Sequence, residues 1–410
     1  MNPGDIPRFH SLDAVRAWAL LAGIVLHATM AHLPGFAHLR WPISDNSTSY
    51  TLGMTFFVIH IFRMSLFFIV AGFFARFLHQ RLGTWGLVKN RLRRIGLPFL
   101  ASMVLIAPFV IVAIVVAAKL TGMQPGQPVA GAQPPVIGPP VPMMHLWFLY
   151  LLLVLFALTL PLRSLVAWLD ARGELRATVA RTAAALIRSR MAPVVLGMPI
   201  IAALLSTRWW LVWQGIPVPA VGLVPNLPAM VAYGSAFLLG WLMHREQSML
   251  QALAKDWLMY LLVAVLATLA AAFLAGERLH FGMQPTSTFE RAGFAIAYVL
   301  ACWCWCFACL GAAVRFLDRP SPRTRYLSDA SYWMYLAHLP IVWMLQAWML
   351  PWPLHWTVKF PLALGLTMIL LLASYHWLVR GTFIGVFLNG RRYPRGKATA
   401  AISKPSMSPG

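Results

Sequence analysis

Ten or so stretches of this 410-residue chain are apolar over a window of about 19 residues, and a water-soluble fold has nowhere to put that many. They lie near 12–33, 52–75, 95–118, 144–162, 191–206, 219–243, 257–275, 291–314, 327–350 and 356–388. Inside a bilayer every backbone N–H and C=O must be satisfied within the protein, so such stretches fold as helices. The expectation is an all-α, polytopic membrane helix bundle with about ten transmembrane helices. Hydrophobic residues at 60%, charged residues at 11% and a mean hydropathy of +0.70 exclude an ordinary soluble domain.

The net charge of +22 raises the question of nucleic acid, and the distribution of Lys and Arg answers it. With the N-terminus inside, 24 of these cations fall in inside loops and tails, and six fall outside: Arg40, Lys119, Arg208, Arg278, Arg291 and Lys359. The inside groups cluster over 76–94 and 163–190. That bias sets the orientation and implies an even number of crossings, with both termini cytoplasmic. The charge is therefore topological, with some attraction to anionic lipid, and nucleic acid is not an expected partner. The first apolar stretch is read as retained rather than cleaved as a signal peptide. The Pro- and Gly-rich stretch from Thr121 to Pro142 reads as an irregular outside connection. One integral membrane domain over 1–390 and a basic, disordered tail over 391–410 complete the organisation.

Within the first stretch, SLDAVRAWALLAGIVLHATMAH, Arg16 and His27 stand eleven residues apart. Ionisable groups at membrane depth are expensive and mark functional sites by default. At about 100° per residue eleven steps overshoot three turns by only about 20°, so both side chains share one helix face. Their axial separation is about 16 Å, which suits a cation near the membrane surface and a proton-handling group deeper in. A neutral imidazole at His27 has the chemistry of a general base; the structural alternative is a core histidine bonded to a neighbouring helix. Asp13, one turn before Arg16, is placed to hold the guanidinium. It lies about 21 Å from His27 along the axis and cannot orient that ring.

The other candidates come in similar short patterns. His60 and Arg63, in IHIFRMSLFF, are i, i+3 on one helix and either line the same cavity or pack together inside the bundle. His145 opens the fourth stretch in MMHLWFL, as a site residue or as the wet end of an aromatic belt. His338, in SYWMYLAHLP, continues a polar stripe with Ser331, Tyr332 and Tyr335 that is either structural or functional. Arg91 and Arg94, in KNRLRRIGLP, are three apart and on a helix start would present forked donors to phosphate oxygens; the alternative is an ordinary positive-inside flank. All four cysteines, Cys302, Cys304, Cys306 and Cys309, fall in one stretch without His or carboxylate neighbours, so they read as small buried apolar residues and no metal site is expected. The eleven carboxylates all fall in loops or near the ends of the stretches.

These motifs together resemble the acyltransferase 3 family of membrane acyltransferases. The resemblance rests on LDAVRAWALLAGIVLH, RMSLFFIVAGFF, KNRLRRIGLPF with its Arg-x-x-Arg, HLWFL and SDASYWMYLAHLP, which follow one another over residues 12–340. Within the family the chain is most similar to the glucan-biosynthesis branch, whose members succinylate osmoregulated periplasmic glucans. The resemblance implies a multi-pass enzyme of the bacterial inner membrane. It implies an acyl-CoA donor (succinyl-CoA or acetyl-CoA) entering from the cytoplasm with no resident cofactor, a periplasmic or envelope glycan as acceptor, and partners in glucan synthesis. It assigns Arg16, Arg91 and Arg94 to the donor and His27 to the acceptor hydroxyl, as general base or as carrier of the acyl group. Asp13, His60, Arg63, His145, Tyr335 and His338 are then candidates for the cavity wall.

Two other function classes remain open from the sequence. A polysaccharide or lipid transporter or flippase would use a similar bundle, but no energy-coupling carboxylate is visible at mid-membrane depth. A non-catalytic subunit of a glucan-export assembly would need no bound acyl-CoA.

Overall fold

The computed structural model describes residues 9–35, 43–121, 139–210, 215–276 and 287–389. Among them the secondary structure is helical, apart from an isolated antiparallel bridge between Pro142 and Val221. The helices are α1 (His10–Thr29), α2 (Tyr50–Arg91), α3 (Leu97–Leu105), α4 (Ala107–Thr121), α5 (Trp147–Leu169), α6 (Glu174–Arg188) and α7 (Ala192–Ser206). They continue with α8 (Leu227–Arg245), α9 (Ser248–Ala275), α10 (Thr288–Phe316), α11 (Pro322–Met349), α12 (Trp356–Ser374) and α13 (Phe383–Asn389). The expected tail at 391–410, and residues 122–138 of the expected outside connection, lie outside the described residues.

Seven helical segments are long and apolar enough to cross a bilayer, or eight if α6 and α7, bent by 107°, form one crossing. This is fewer than the ten expected. The second and third apolar stretches belong to one helical run, Tyr50–Thr121. The fifth, α7, has only 15 residues. The ninth lies in α11, where Ser328, Ser331, Tyr335, His338 and Gln346 dilute the apolar character.

The inside loop expected over 76–94 is instead helix. No proline interrupts the chain between Tyr50 and Arg91, and its Arg, Leu, Gln and Lys are good helix formers. Up to its break at Gly83, α2 is about 50 Å long at 1.5 Å per residue, against a hydrocarbon thickness of about 30 Å, so it extends well beyond the apolar layer. Its one internal break is Gly83, at φ 66°, ψ −177°. The loop expected over 163–190 likewise contains the end of α5 and all of α6.

Sequence-local caps set several starts. Ser49 Oγ accepts the Leu52 N–H (3.3 Å), Asn226 Oδ1 accepts that of Ala229 (2.9 Å), and Ser287 forms a reciprocal capping box with Glu290. Ser321 caps α11 just ahead of Pro322, whose missing N–H is harmless in the first turn.

Helix α1 is the central element, contacted by α2, α10, α11 and α12. Helices α2 and α8 cross with their backbones in contact: a Cβ on Gly72 would strike the Phe237 carbonyl, and one on Gly240 the Ile69 carbonyl. Small residues at such a crossing let dispersion contacts replace a hydrophobic driving force that lipid does not supply. The crossing also positions the Phe68–Tyr233 ring pair, with centroids 4.9 Å apart, and Phe156 of α5 packs beside it on Phe237, 5.3 Å apart. Gly240→Leu forces the two helices apart and should lower stability by about 1–3 kcal/mol or more, read as a lower unfolding temperature in detergent; an unchanged temperature contradicts the contact.

Candidate active site

Helix α1 carries Arg16 and His27 on the same side, as their spacing predicts, and α11 supplies partners for both. At one end, Arg16 Nη2 donates to Ser328 Oγ (2.6 Å) and to the Ser328 carbonyl (3.3 Å). The same nitrogen lies 3.4 Å from Asp13 Oδ1, so the i, i+3 pair expected from sequence is present. One turn further along α11, the Tyr332 hydroxyl donates to the Arg94 carbonyl (2.8 Å). The Arg16 side chain and the main chain at Arg94 thus meet α11 four residues apart, about 6 Å along its axis.

Arg91 ends α2 with its guanidinium over the Phe156 ring (4.9 Å) and its Nε buried without a partner among the described residues. Arg94 sits in a π-helical turn, Leu92–Gly96, rather than at a helix start. A π-turn inside an α-helical run is uncommon and recurs at functional sites.

At the other end three histidines converge. The His27 and His338 ring centroids are 5.1 Å apart, and those of His338 and His145 are 5.3 Å apart. The protein fixes which nitrogen of each carries the proton. His338 Nδ1–H donates to the Tyr335 carbonyl (2.7 Å), which leaves its Nε2 as a buried acceptor without a partner among the described residues. His145 Nε2–H donates to the Leu336 carbonyl (3.1 Å), leaving Nδ1 in the same condition. His27 Nδ1 lies 3.3 Å from Met30 Sδ, and a thioether offers only an acceptor.

The His145 contact has a cause in the sequence of α11. Residue 340 is proline, so it has no N–H to give the carbonyl four residues back, which is that of Leu336. His145 fills that gap, and the Tyr335 hydroxyl returns a bond to the His145 carbonyl (2.6 Å). The start of α5 and the middle of α11 are therefore clamped together at the histidine cluster.

Arg63 completes the site. Its guanidinium lies across Gly23 of α1, where a Cβ would collide with Nη1. Gly23 is one turn before His27, about 6 Å along the axis. His27, His60, His338, Tyr233 and Tyr335 lie in the neighbourhood of Arg63. Among the described residues no carboxylate pairs with it, and its Nε is buried without a partner. His60, one turn before Arg63, stacks on Phe56 (5.5 Å between centroids). An unpaired guanidinium held away from bulk water favours an incoming anionic group.

Several contacts were beyond sequence reasoning. Ser328 as the partner of Arg16 was missed, although it falls ten residues before His338 on the same polar stripe. Lys359, expected in an outside loop, lies in α12, where it is buried and paired with Asp45 at 2.7 Å. Gln346 and His32, also unforeseen, are buried beside that pair; Gln346 Nε2 donates to the Ala28 carbonyl (2.6 Å), next to His27. The cysteines pack α10 against α2, with Cys302 Sγ 3.3 Å from Ser65 Oγ and Cys306 Sγ 3.6 Å from the Phe62 carbonyl. Among the described residues no cluster of His, Cys, Asp and Glu has the arrangement of a metal site.

Comparison with known proteins adds the family. A family profile described as "Acyltransferase domain", of the acyltransferase 3 type, matches residues 9–376. Curated relatives named "Glucans biosynthesis protein C", from Shigella dysenteriae serotype 1 (strain Sd197), Escherichia coli (strain SMS-3-5 / SECEC) and Escherichia coli (strain K12), are each 36% identical over 110 residues. That match covers 26% of this chain and 26% of each relative, so the chain spans about a quarter of the length of the curated relatives it matches. No solved structure matches the chain. The profile match covers the α1 arginine and histidine, the arginine pair after α2 and the α11 histidine alike, and the chain belongs to the acyltransferase 3 family.

Proposed function

We propose that this protein is an O-acyltransferase that carries a succinyl or acetyl group from cytoplasmic acyl-CoA to hydroxyls of a periplasmic glucan or another envelope polysaccharide. The supporting observation is the layout of α1: Arg16 near one end, beside the Arg91/Arg94 group, and His27 near the other, beside His145, His338 and Arg63. In this reading the Arg16 end and both termini face the cytoplasm across the bacterial inner membrane. The run Tyr50–Thr121 crosses twice, and α7 and α11 also cross, giving ten crossings.

Arg16, Arg91 and Arg94 hold the phosphates of the donor. The pantetheine arm, on the order of 15–20 Å, matches the separation of about 16 Å between Arg16 and His27. His27 Nε2 takes the proton of the acceptor hydroxyl as its oxygen attacks the thioester carbonyl. The C–S bond breaks, the CoA thiolate leaves, and the imidazolium returns the proton to it. Arg63 supplies positive charge either to the oxyanion formed on that carbonyl or to the distal carboxylate of a succinyl group.

These two roles of Arg63 separate experimentally. Arg63→Leu should impair succinyl transfer more than acetyl transfer, by about 10-fold or more for a lost charge-assisted bond; equal losses assign the residue to the oxyanion instead.

Purified protein should bind acyl-CoA, with affinity falling as salt rises because exposed charge pairs are screened beyond about 10 Å at 0.1 M. Affinity flat with salt removes the phosphate role of the arginines. Periplasmic glucans from cells with and without the protein should differ by the mass of the acyl group, and identical masses in both reject the reading.

A further inference from the structure

A second group of cations gathers at the Arg16 end, apart from Arg16, Arg91 and Arg94. Phe9, immediately before α1, fixes the level: its ring packs on Phe73 (4.7 Å) and reaches His244 (6.2 Å). Around this point α2 contributes Arg76 and His79, α5 Arg163, α6 Arg176, and α8 His244 and Arg245. Trp241 of α8 ties the first two together, with the Arg76 guanidinium 5.7 Å from its ring and the His79 centroid also 5.7 Å away. His244 packs on Phe73 (4.9 Å) and Phe77 (5.7 Å). Arg163, Arg176 and Arg245 all lie close enough to act on Arg76 electrostatically.

Four helices therefore bring like charges together, and little acid offsets them. Asp170 is occupied by Arg176, with Nε 3.0 Å from Oδ2, and by the main-chain N–H groups of Leu175 and Arg176. Glu246 accepts from Ser248 Oγ at 2.6 Å. Among the described residues Arg76, Arg163 and Arg245 form no ion pair, and Arg76 Nε is buried without a partner. A positive-inside flank needs only charge in solvent; it does not need a half-buried guanidinium surrounded by other cations. This arrangement calls for an anion from outside the chain.

The rim identifies its chemistry. The last turns of α5 expose Leu162, Leu165, Trp168 and Leu169, with Trp168 at 76% exposure. Exposed apolar side chains flanking arginines at a membrane surface match acyl chains below a phosphate headgroup. We propose that α2, α5, α6 and α8 form a binding site for the phosphate headgroup of an anionic phospholipid, distinct from the arginines assigned to the donor.

The test is native mass spectrometry of the full-length protein in detergent, titrated with phosphatidylglycerol or phosphatidylcholine. One phosphatidylglycerol should be retained per chain in preference to phosphatidylcholine. The variant Arg163→Gln/Arg245→Gln should weaken that binding by about 30-fold, from the loss of two interfacial charges. Arg319→Gln/Arg323→Gln, which removes two exposed arginines elsewhere at the same end, should leave it unchanged. Both variants avoid the half-buried Arg76, and unchanged elution and unfolding temperature show that they are folded. Equal phosphatidylglycerol binding by wild type and the first variant overturns the proposal, as does equal loss in both variants. Displacement of the lipid by CoA or inorganic phosphate also overturns it, by assigning the site to a soluble phosphate.

Discussion

His27→Ala lowers acyl transfer from labelled acyl-CoA to glucan by about 10²–10⁴-fold, the range for loss of a general base. Binding of acyl-CoA should survive, because Arg16, proposed with Arg91 and Arg94 to hold its phosphates, lies about 16 Å away along α1. The pairing of these two readouts is what makes the experiment decisive. Loss of both transfer and binding would mean a collapsed helix rather than a missing base. Transfer at the parental rate would remove His27 from the chemistry and with it the proposed reaction path. The nearest ionisable neighbours of the ring are other histidines and Arg63; His338 Nε2, 5.1 Å away between centroids, is the one that could take over part of the proton transfer, which places the loss toward the lower end of that range.

Lys359→Met destabilises the protein by about 3–5 kcal/mol, because it leaves Asp45 charged and buried without its partner. Both side chains are only 4% exposed, and Lys359 Nζ lies 2.7 Å from Asp45 Oδ2. The pair sits in a small connected network. Asp45 N–H donates to the Ala31 carbonyl (2.8 Å), Asp45 Oδ1 accepts from Ser47 N–H (2.8 Å), and His32 Nδ1–H donates to the Ser47 carbonyl (2.9 Å). These bonds fasten the end of α1 to the segment that leads into α2 and to α12. The double variant Asp45→Asn/Lys359→Met should recover much of the loss, since no uncompensated charge is left inside. Thermal unfolding in detergent measures both, and single and double variants with equal losses would show that the charges are not coupled.

Much of the site was legible because α1 encodes it locally. Arg16, His27 and Asp13 sit on a single helix, and helical periodicity alone sets their relation. The helical class was equally legible, since an apolar chain in lipid has few alternatives. Contacts between distant segments were not. His338 meets His27 across more than 300 residues, and no periodicity in either helix reports the other. Arg63 could be placed near His60 by spacing, but its position across α1 depends on Gly23 lacking a side chain, which one sequence does not announce. Lys359 was read as an outside-loop cation because charge counting weighs position along the chain and cannot see that Asp45 waits in a loop folded against it. Hydropathy alone does not report that the chain between the second and third apolar stretches is itself helical, so that both belong to one run, Tyr50–Thr121.

Pro340 makes the histidine cluster depend on an omission. With that amide hydrogen absent the Leu336 carbonyl has no donor from the ladder, so the grip of His145 on α11 meets no backbone competitor. Any residue that restored that hydrogen would set the backbone in competition with the imidazole for one oxygen. The vulnerable point of this cluster is thus a position whose own side chain takes no part in it, and random variation there would read as loss of geometry rather than loss of chemistry.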